Sequence, residues 1–346
     1  MKTIKLGAQG PEVSAICLGS MTWGRQNTEQ QGHQQWDYAT ERGVNFIDTA
    51  ELYPVNLAKP ETAGVTETII GNWLQRRGGR DKKVIATKAA GFGQIGTRDG
   101  APLNGKILRS TVEASLKRLQ TDYIDIYQLH VPNRPGYHFR GIWNFQPVNN
   151  RQAIIENMAD CLQTLAELQQ AGKIRHFGLS NESCWGMSQW LHLADQGLGP
   201  RPITLQNEYS LLCRYFDADL AELAVNEGIT LLAYSPSAQG LLSGKHSADH
   251  IPASSRRNVN IGLGGRCTPN VWPAIDAYLQ IAREADVHPI TLAIAFVMSR
   301  YYPAVPIVGA SAVEQLVPSL DAASFVISEP LAKRIADAYK AHPMPF

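Results

Sequence analysis

From residue 29 onward the chain alternates between two kinds of hydrophobic pattern. In one, apolar positions recur every three or four residues over a dozen positions or more. Examples are "EQQGHQQWDYATERG", "TETIIGNWLQRRG", "ILRSTVEASLKRLQ", "AIIENMADCLQTLAELQQAG", "WGMSQWLHLADQG" and "DADLAELAVNEG". That spacing predicts helices with one buried stripe. The other pattern is short, β-branched and continuously apolar: "VNFID", "KVIATK", "YIDIYQLH", "IRHFGLS", "ITLQN", "ITLLAYS" and "AVPIVG". Such runs predict strands buried on both faces. Strict alternation of strand and helix implies parallel pairing. Ahead of this series, "KTIKLG" and "EVSAICLG" flank a Gly-Pro turn and predict a hairpin, with "CLG" able to serve as the first barrel strand. Two further helices, "AIDAYLQIAREAD" and "TLAIAFVMSRYY", precede the last strand, and another follows it.

About eight strands over this length predict an α/β fold of the (β/α)8 TIM-barrel type, since such barrels run to about 250 residues plus insertions. The barrel would carry an N-terminal β-hairpin and extra C-terminal helices. No Pro-rich linker divides the chain, so residues 1–346 read as one domain. The competing fold is an open doubly wound sheet, which the same alternation would suit.

Composition narrows the function without naming it. With 346 residues, 44% of them hydrophobic, the chain can bury a large core. It has 32 basic and 31 acidic residues and no basic block, which argues against a nucleic-acid partner. No apolar run approaches the roughly 18 residues of a membrane helix, and "MKTIKLGAQG" lacks an apolar signal core. Five scattered cysteines, Cys17, Cys161, Cys184, Cys213 and Cys267, never fall in C-x-x-C spacing. That usage suits reduced thiols, so a cytoplasmic location is expected. A homo-oligomer is left open.

Three motifs suggest chemistry and then lose the suggestion. "GFGQIG", Gly91 to Gly96, is a formal G-x-G-x-x-G, but "TRDGAPLNG" follows it in place of a helix N-terminus, so it reads as a Gly-rich loop. "GLLSGKH", Gly240 to His246, is one residue short of a P-loop and has a His where a magnesium-binding hydroxyl belongs. His246 and His250 stand four apart but lack a third ligand nearby, so no metal is expected.

The barrel prediction places chemistry at strand C-termini. In order, those ends are Ser20, Asp48, Lys88, His130, Ser180 with Asn181, Gln206, Tyr234 with Ser235, and Gly309. An Asp, a Lys and a His on three successive strands stand out, because Asp and Lys are rarely buried unless paired. Tyr53 lies five residues past Asp48, in the loop over the same strand. A neighbouring ammonium favours phenolate and so lowers a phenol's pKa. A carboxylate would hold the ammonium charged and oriented. An imidazole can position a carbonyl. Together these groups can protonate a carbonyl oxygen as it becomes an alkoxide. Hydride must come from a nicotinamide cofactor, since no side chain provides it.

The stretches "FIDTAELY", "TK", "LKRLQTDYIDIYQLHVP", "GKIRHFGLSN", "LQNEYS", "YSPSAQGLLSGK" and "PIVGASAVEQL" occur in this order over nearly the whole chain. They resemble the aldo-keto reductase family, and "YPVNLAKPETAGVTETIIGNWL" is most similar to its Tas-type bacterial members. The resemblance implies a TIM barrel that reduces an aldehyde or ketone with NADPH and binds it without a Rossmann fold. It implies Tyr53 as general acid, Lys88 and Asp48 as its activating pair, and His130 as the residue that orients the carbonyl. For the cofactor it implies backbone contacts from Ser20, Met21 and Thr22, with Asp48 nearby. Ser180, Asn181 and Gln206 would hold the nicotinamide amide, and Tyr234 would stack on the ring. The loop from Ser235 through Pro236 and Gly240 to Lys245 would close over the pyrophosphate. Gly309, Ser311 and Gln315 would hold the adenosine phosphate.

The chain departs from the family pattern where Pro318 and Ser319 replace an acidic residue and an Asn, which bears on cofactor preference. No arginine lies between Gly309 and Ser319, although Arg256 or Arg257 could reach a 2′-phosphate. Thr66 and Glu67 replace the usual Ser-Glu pair after an insertion expected to reshape the pocket mouth. Trp23 and Trp143 are expected either to line the substrate pocket or to pack as ordinary aromatics. A redox-sensing subunit resembling potassium-channel β-subunits would keep the same tetrad, whereas a third reading, a lyase using Lys88 as a Schiff base, is opposed by Asp48, whose ion pair would keep Lys88 protonated.

Overall fold

Eight short parallel strands close on themselves, in the spatial order β10-β3-β4-β5-β6-β7-β8-β9. The structure is a computed structural model and describes residues 1–55, 60–253 and 255–346. The hairpin is β1 (Thr3–Lys5) and β2 (Glu12–Ser14), paired antiparallel. Then β3 (Cys17–Gly19), α1 (Glu29–Glu41), β4 (Phe46–Asp48), α2 (Val65–Arg77), β5 (Val84–Ala89) and α3 (Gly105–Leu119) begin the barrel. The series continues with β6 (Ile124–Leu129), α4 (Arg151–Gln170), β7 (Ile174–Ser180), α5 (Cys184–Asp195), β8 (Thr204–Glu208), α6 (Asp219–Glu227) and β9 (Thr230–Tyr234). A long excursion holding α7 (Arg256–Val259), α8 (Val271–Glu284) and α9 (Pro289–Met298) leads to β10 (Ala304–Val308), α10 (Val317–Asp321) and α11 (Glu329–Ala341). Closure excludes the open sheet: β10 pairs with both β9 and β3.

Helix starts follow local chemistry. Thr28 and Gln31 cap α1 reciprocally, Asn104 caps α3 and Ser183 caps α5. Between strands and helices lies the larger core, in which Trp36 stacks on Trp73 at 3.9 Å. Inside the barrel a smaller apolar cluster includes Cys17, Phe46, Val84, Ala86, Ile126, Leu232, Val305 and Ile307. The hairpin plugs its lower end. Leu6 and Val13 join that cluster, and the Gly7 amide donates to Thr230 Oγ1 at 2.8 Å.

Inward positions recur every second residue along a strand. Going up β4, Phe46 gives way to Asp48; going up β5, Ala86 gives way to Lys88; going up β6, Ile126 gives way to Gln128. The interior therefore changes from apolar plug to polar floor in one step, at the end where the βα loops begin.

Candidate active site

Lys88 is fully buried, and its ammonium has three donors to satisfy. All three have acceptors: Asp48 Oδ2 at 2.6 Å, the Thr49 carbonyl at 2.8 Å and the Tyr53 hydroxyl oxygen at 3.3 Å. The other Asp48 oxygen, Oδ1, accepts from Gln206 Nε2 at 2.8 Å and Gln128 Nε2 at 3.2 Å. Burial disfavours the ammonium, yet Asp48 and Tyr53 outweigh it and raise the Lys88 pKa. A lysine held in its charged form is a poor nucleophile, which counts against the Schiff-base lyase.

The Tyr53 ring lies edge-on to His130, centroids 5.8 Å apart. Because the phenol oxygen accepts from Lys88, its own O–H remains free to donate. The net shift at Tyr53 differs from the sequence expectation. Burial raises its pKa, and the opposing pull of Lys88 does not cancel it. The phenol is thus held in its acid form, as a proton donor requires. His130 is pushed well below its ordinary value by burial and then by Lys88, so the imidazole is neutral. Its Nδ1 is buried with no hydrogen-bond partner among the described residues.

Asn181, with φ of +56°, braces this arrangement. Its Nδ2 donates to the His130 carbonyl at 2.9 Å, and its Oδ1 accepts from the Tyr234 hydroxyl at 2.9 Å. The Gly-rich loop after β5 also has a positional task. Arg98 binds Glu51 through two nitrogens at 3.0 and 2.7 Å and donates to the Ala90 carbonyl at 2.6 Å. Glu51 in turn accepts from the Ala90 amide, so the loop is tied to the segment that carries Tyr53. No α-helix follows its glycines until Gly105, only a single 3-10 turn at Arg98–Gly100.

A cleft of about 1620 Å³ opens above this floor. Asp48, Tyr53 and His130 line it, together with Ser20, Met21, Thr22, Ser180, Asn181, Gln206, Tyr234, Ser235, Pro236, Gly240, Lys245, Arg256, Gly309, Ser311 and Gln315. Lys88 lies beneath it. Pro318 and Ser319 line the far end, where the Pro318 carbonyl accepts from Thr291 Oγ1 at 2.7 Å. Gly309 comes within ordinary van der Waals reach of the Gly19 carbonyl only because it lacks a Cβ, which would sit 3.2 Å from that oxygen.

Several sequence expectations need correction. Trp23 is not a pocket residue. Its indole packs on Gly32, where a Cβ would meet it at 2.8 Å, and donates to Gln35 Oε1 at 3.1 Å. Trp143 is 62% exposed and outside the cleft. Arg140, at φ of +68° and paired with Glu208, draws residues 139–140 inward and sends the following turn out. Phe139 and Arg140 line the cleft in its place. Arg257 turns to backbone, donating to the Ser247, Ala248 and His250 carbonyls over the Trp272 ring. Thr66 donates to the Trp23 carbonyl at 2.7 Å. Glu67 binds Thr87 and Arg118, bracing α2 against β5 beside Lys88. The insertion ahead of them falls partly outside the described residues, at 56–59. His246, read as a residue of an exposed loop, is buried. Among the described residues no group of three or more His, Cys, Asp or Glu is placed to hold a metal, and no helix is long and apolar enough to cross a membrane.

A model of the aldo/keto reductase family matches residues 15–340. The chain belongs to the aldo/keto reductase family. It is similar to Protein tas of Escherichia coli, 40% identical over 337 residues and 96% of each chain. It is also similar to the uncharacterized oxidoreductase YrpG of Bacillus subtilis, at 28% identity over 98% of this chain and 96% of the other. A putative voltage-gated potassium channel subunit beta of Schizosaccharomyces pombe is 29% identical over 98% of this chain and 93% of its own length. Membership makes the chain an oxidoreductase of a family that generally uses nicotinamide cofactors.

Sequence reasoning missed Gln128, Arg98 and the Glu208 cluster. Gln128 had a readable signal: it stands two residues before His130 and so shares its inward phase. Glu208 had the same signal, two residues past Gln206 on β8, but its arginine partners did not, and Arg98 had none, because Glu51 is distant in sequence.

The buried histidines also fix a pH response. His130 is depressed well below its ordinary value, and burial pushes both His138 and His246 down to about 4. The unfolded chain takes up these protons below about 6.5, whereas the fold refuses them. Stability present at neutral pH is therefore lost as pH falls from 6.5 toward 4. Thermal denaturation should show the melting temperature declining over that interval, with His138→Asn flattening part of the decline.

Proposed function

We propose that this protein reduces an aldehyde or ketone with NADPH, with Tyr53 donating the proton. The carrying observation is the Asp48–Lys88–Tyr53 chain of short contacts beneath an extended cleft. When bound, NADPH supplies the hydride that no side chain can. The residues present fit a dinucleotide: a long cleft that Gly309 lines, a buried His130 nitrogen awaiting a partner, and cations at Lys245 and Arg256. Ser20, Met21, Thr22, Ser180, Asn181, Gln206 and Tyr234 would surround the nicotinamide, Ser235 to Lys245 the pyrophosphate, and Gly309, Ser311 and Gln315 the adenosine phosphate.

Tyr53 holds its proton at the hydroxyl oxygen until a carbonyl oxygen above it gains charge. His130, neutral, aligns that oxygen. Lys88, charged and fixed by Asp48, stabilises the phenolate left behind. The unpaired, scattered thiols support a cytoplasmic setting.

NADPH consumption, followed optically, should rise with some member of a panel of small aldehydes, aromatic aldehydes and dicarbonyls. NADH, tested in parallel, should serve less well, because cations border the cleft. A second reading, a redox-sensing subunit, is supported by the channel-subunit relative. Tight NADPH binding with negligible turnover across the whole panel would favour it.

A further inference from the structure

Phe139 lines the cleft and is nevertheless 57% exposed. A single apolar residue on a surface needs no explanation, but this one is held where it is. Phe139 and Arg140 both have left-handed backbones, with φ of +55° and +68°. That conformation is costly for a residue with a Cβ and persists only where its surroundings impose it. The neighbours on each side supply the hold. His138 Nε2 meets the Glu182 carbonyl at 3.4 Å. Arg140 Nη1 donates to Glu208 Oε1, at the end of β8, at 3.0 Å. The same oxygen accepts from Arg266 Nε at 2.8 Å, and Arg266 Nη1 donates to the Leu263 carbonyl at 2.7 Å. All three members of this clasp are largely withdrawn from water. Gly265, with φ of +85°, lets the two loops meet, since a Cβ there would lie 2.9 Å from Arg140 Cγ. The loop after β6 and the excursion after β9 are thus locked together at the end of β8, and Phe139 stands beside the lock with its ring in the cleft.

Its surroundings are apolar and aromatic. The ring plane lies 23° from that of Tyr234, centroids 6.3 Å apart. Tyr234 is joined through Asn181 to the backbone of His130. Leu52, Val55 and Val259 line the same cleft. An apolar face open to water is best covered by an apolar ligand, and an aromatic face gains further from a second ring set offset or edge-on to it.

We propose that the carbonyl substrate carries an aromatic ring that packs on Phe139, and that Arg140, held by Glu208, positions Phe139 to receive it. This rests on the reductase reading above and names its substrate class. Phe139 sets specificity and takes no part in proton transfer, and Arg140 acts through it.

The test compares 3-phenylpropanal with 3-cyclohexylpropanal, each with NADPH. Both carbonyls are insulated from the ring by two methylenes, so their intrinsic reactivities match. The wild type should favour the phenyl member in kcat/KM by about three- to tenfold, the range that an aromatic pair adds beyond its buried area. Phe139→Leu keeps an apolar side chain at an exposed position and should bring the ratio to one or below, through KM. Phe139→Tyr should retain it. Arg140→Met should also collapse the ratio although Phe139 remains, and Arg140→Lys should keep part of it. A variant that merely loosened the fold would lower both members alike. A second readout needs no turnover. 3-Phenylpropanamide, titrated by calorimetry against the protein saturated with NADP+, should bind about three- to tenfold more weakly to Phe139→Leu.

A wild-type ratio at or below one would overturn the proposal. So would Phe139→Leu with an unchanged ratio and a raised dissociation constant for NADPH, because the ring would then serve the cofactor. An Arg140→Met ratio equal to that of the wild type would overturn the positioning role. If NADPH binds and neither aldehyde is reduced, the reductase reading fails, and calorimetry decides the aryl site alone. Amide binding that weakens in Phe139→Leu would still uphold that site, and unweakened binding would remove it.

Discussion

Replacing Tyr53 with Phe is expected to lower NADPH-dependent turnover of any accepted aldehyde by about 10²–10⁴, the range that a positioned general acid contributes. The substitution removes one oxygen and little else. The ring keeps its edge contact with His130 and its place beside the Lys88 ammonium, 4.7 Å from the ring centroid. NADPH affinity, measured by fluorescence titration, should change little, because the phenol lies on the floor of the cleft and not along its length. Lys88 loses one of three acceptors, so a stability cost of about 1–3 kcal/mol is expected for the donor left bare. The alkaline behaviour of the wild type carries the same information. Burial raises the Tyr53 pKa despite Lys88. The acid form, and with it kcat/KM, should therefore persist through an ordinary phenol's titration near about 10 and be lost only above it. Full turnover in Tyr53→Phe would remove the phenol from the mechanism.

The barrel was legible because its signals are local. Each strand announces itself by a short β-branched run and each helix by its apolar stripe, so alternation can be read without knowing any contact. The brevity of β3, three residues long, is why the sequence gives "CLG" only a weak signal. Tyr53 and Asp48 stand in one loop and one strand, and Lys88 and His130 at the next two strand ends, so topology alone brings them near one another. What the sequence hides depends on sums or on distant partners. The sign of the Tyr53 shift is a balance between burial and one cation, and burial is not printed in a motif. Trp23 and Trp143 are alike in composition and opposite in fate: one is held inside by the missing Cβ of Gly32, the other turned outward beyond the Arg140–Glu208 pair. That pair joins residues 68 positions apart, beyond the reach of any periodicity argument.

Lys88→Met is the second large effect expected. The side chain is fully buried, and its removal leaves the Asp48 carboxylate, also buried, with two neutral glutamine amides and no counter-charge. Breaking one side of a buried ion pair typically costs about 3–5 kcal/mol, more than the pair itself contributes over a neutral replacement. Urea unfolding of Lys88→Met should show a loss of that order. Pairing it with Asp48→Asn should restore most of the stability, since the amide still meets the glutamines and carries no charge to desolvate. Turnover should not return with it, because the phenol oxygen would still lack the cation that stabilises its anionic form. This separation of recovered fold from lost chemistry is the point of the experiment. A double variant no more stable than Lys88→Met would mean that the ammonium matters for its packing and not for its charge. A double variant that regained turnover would mean that the phenol acts without the ion pair.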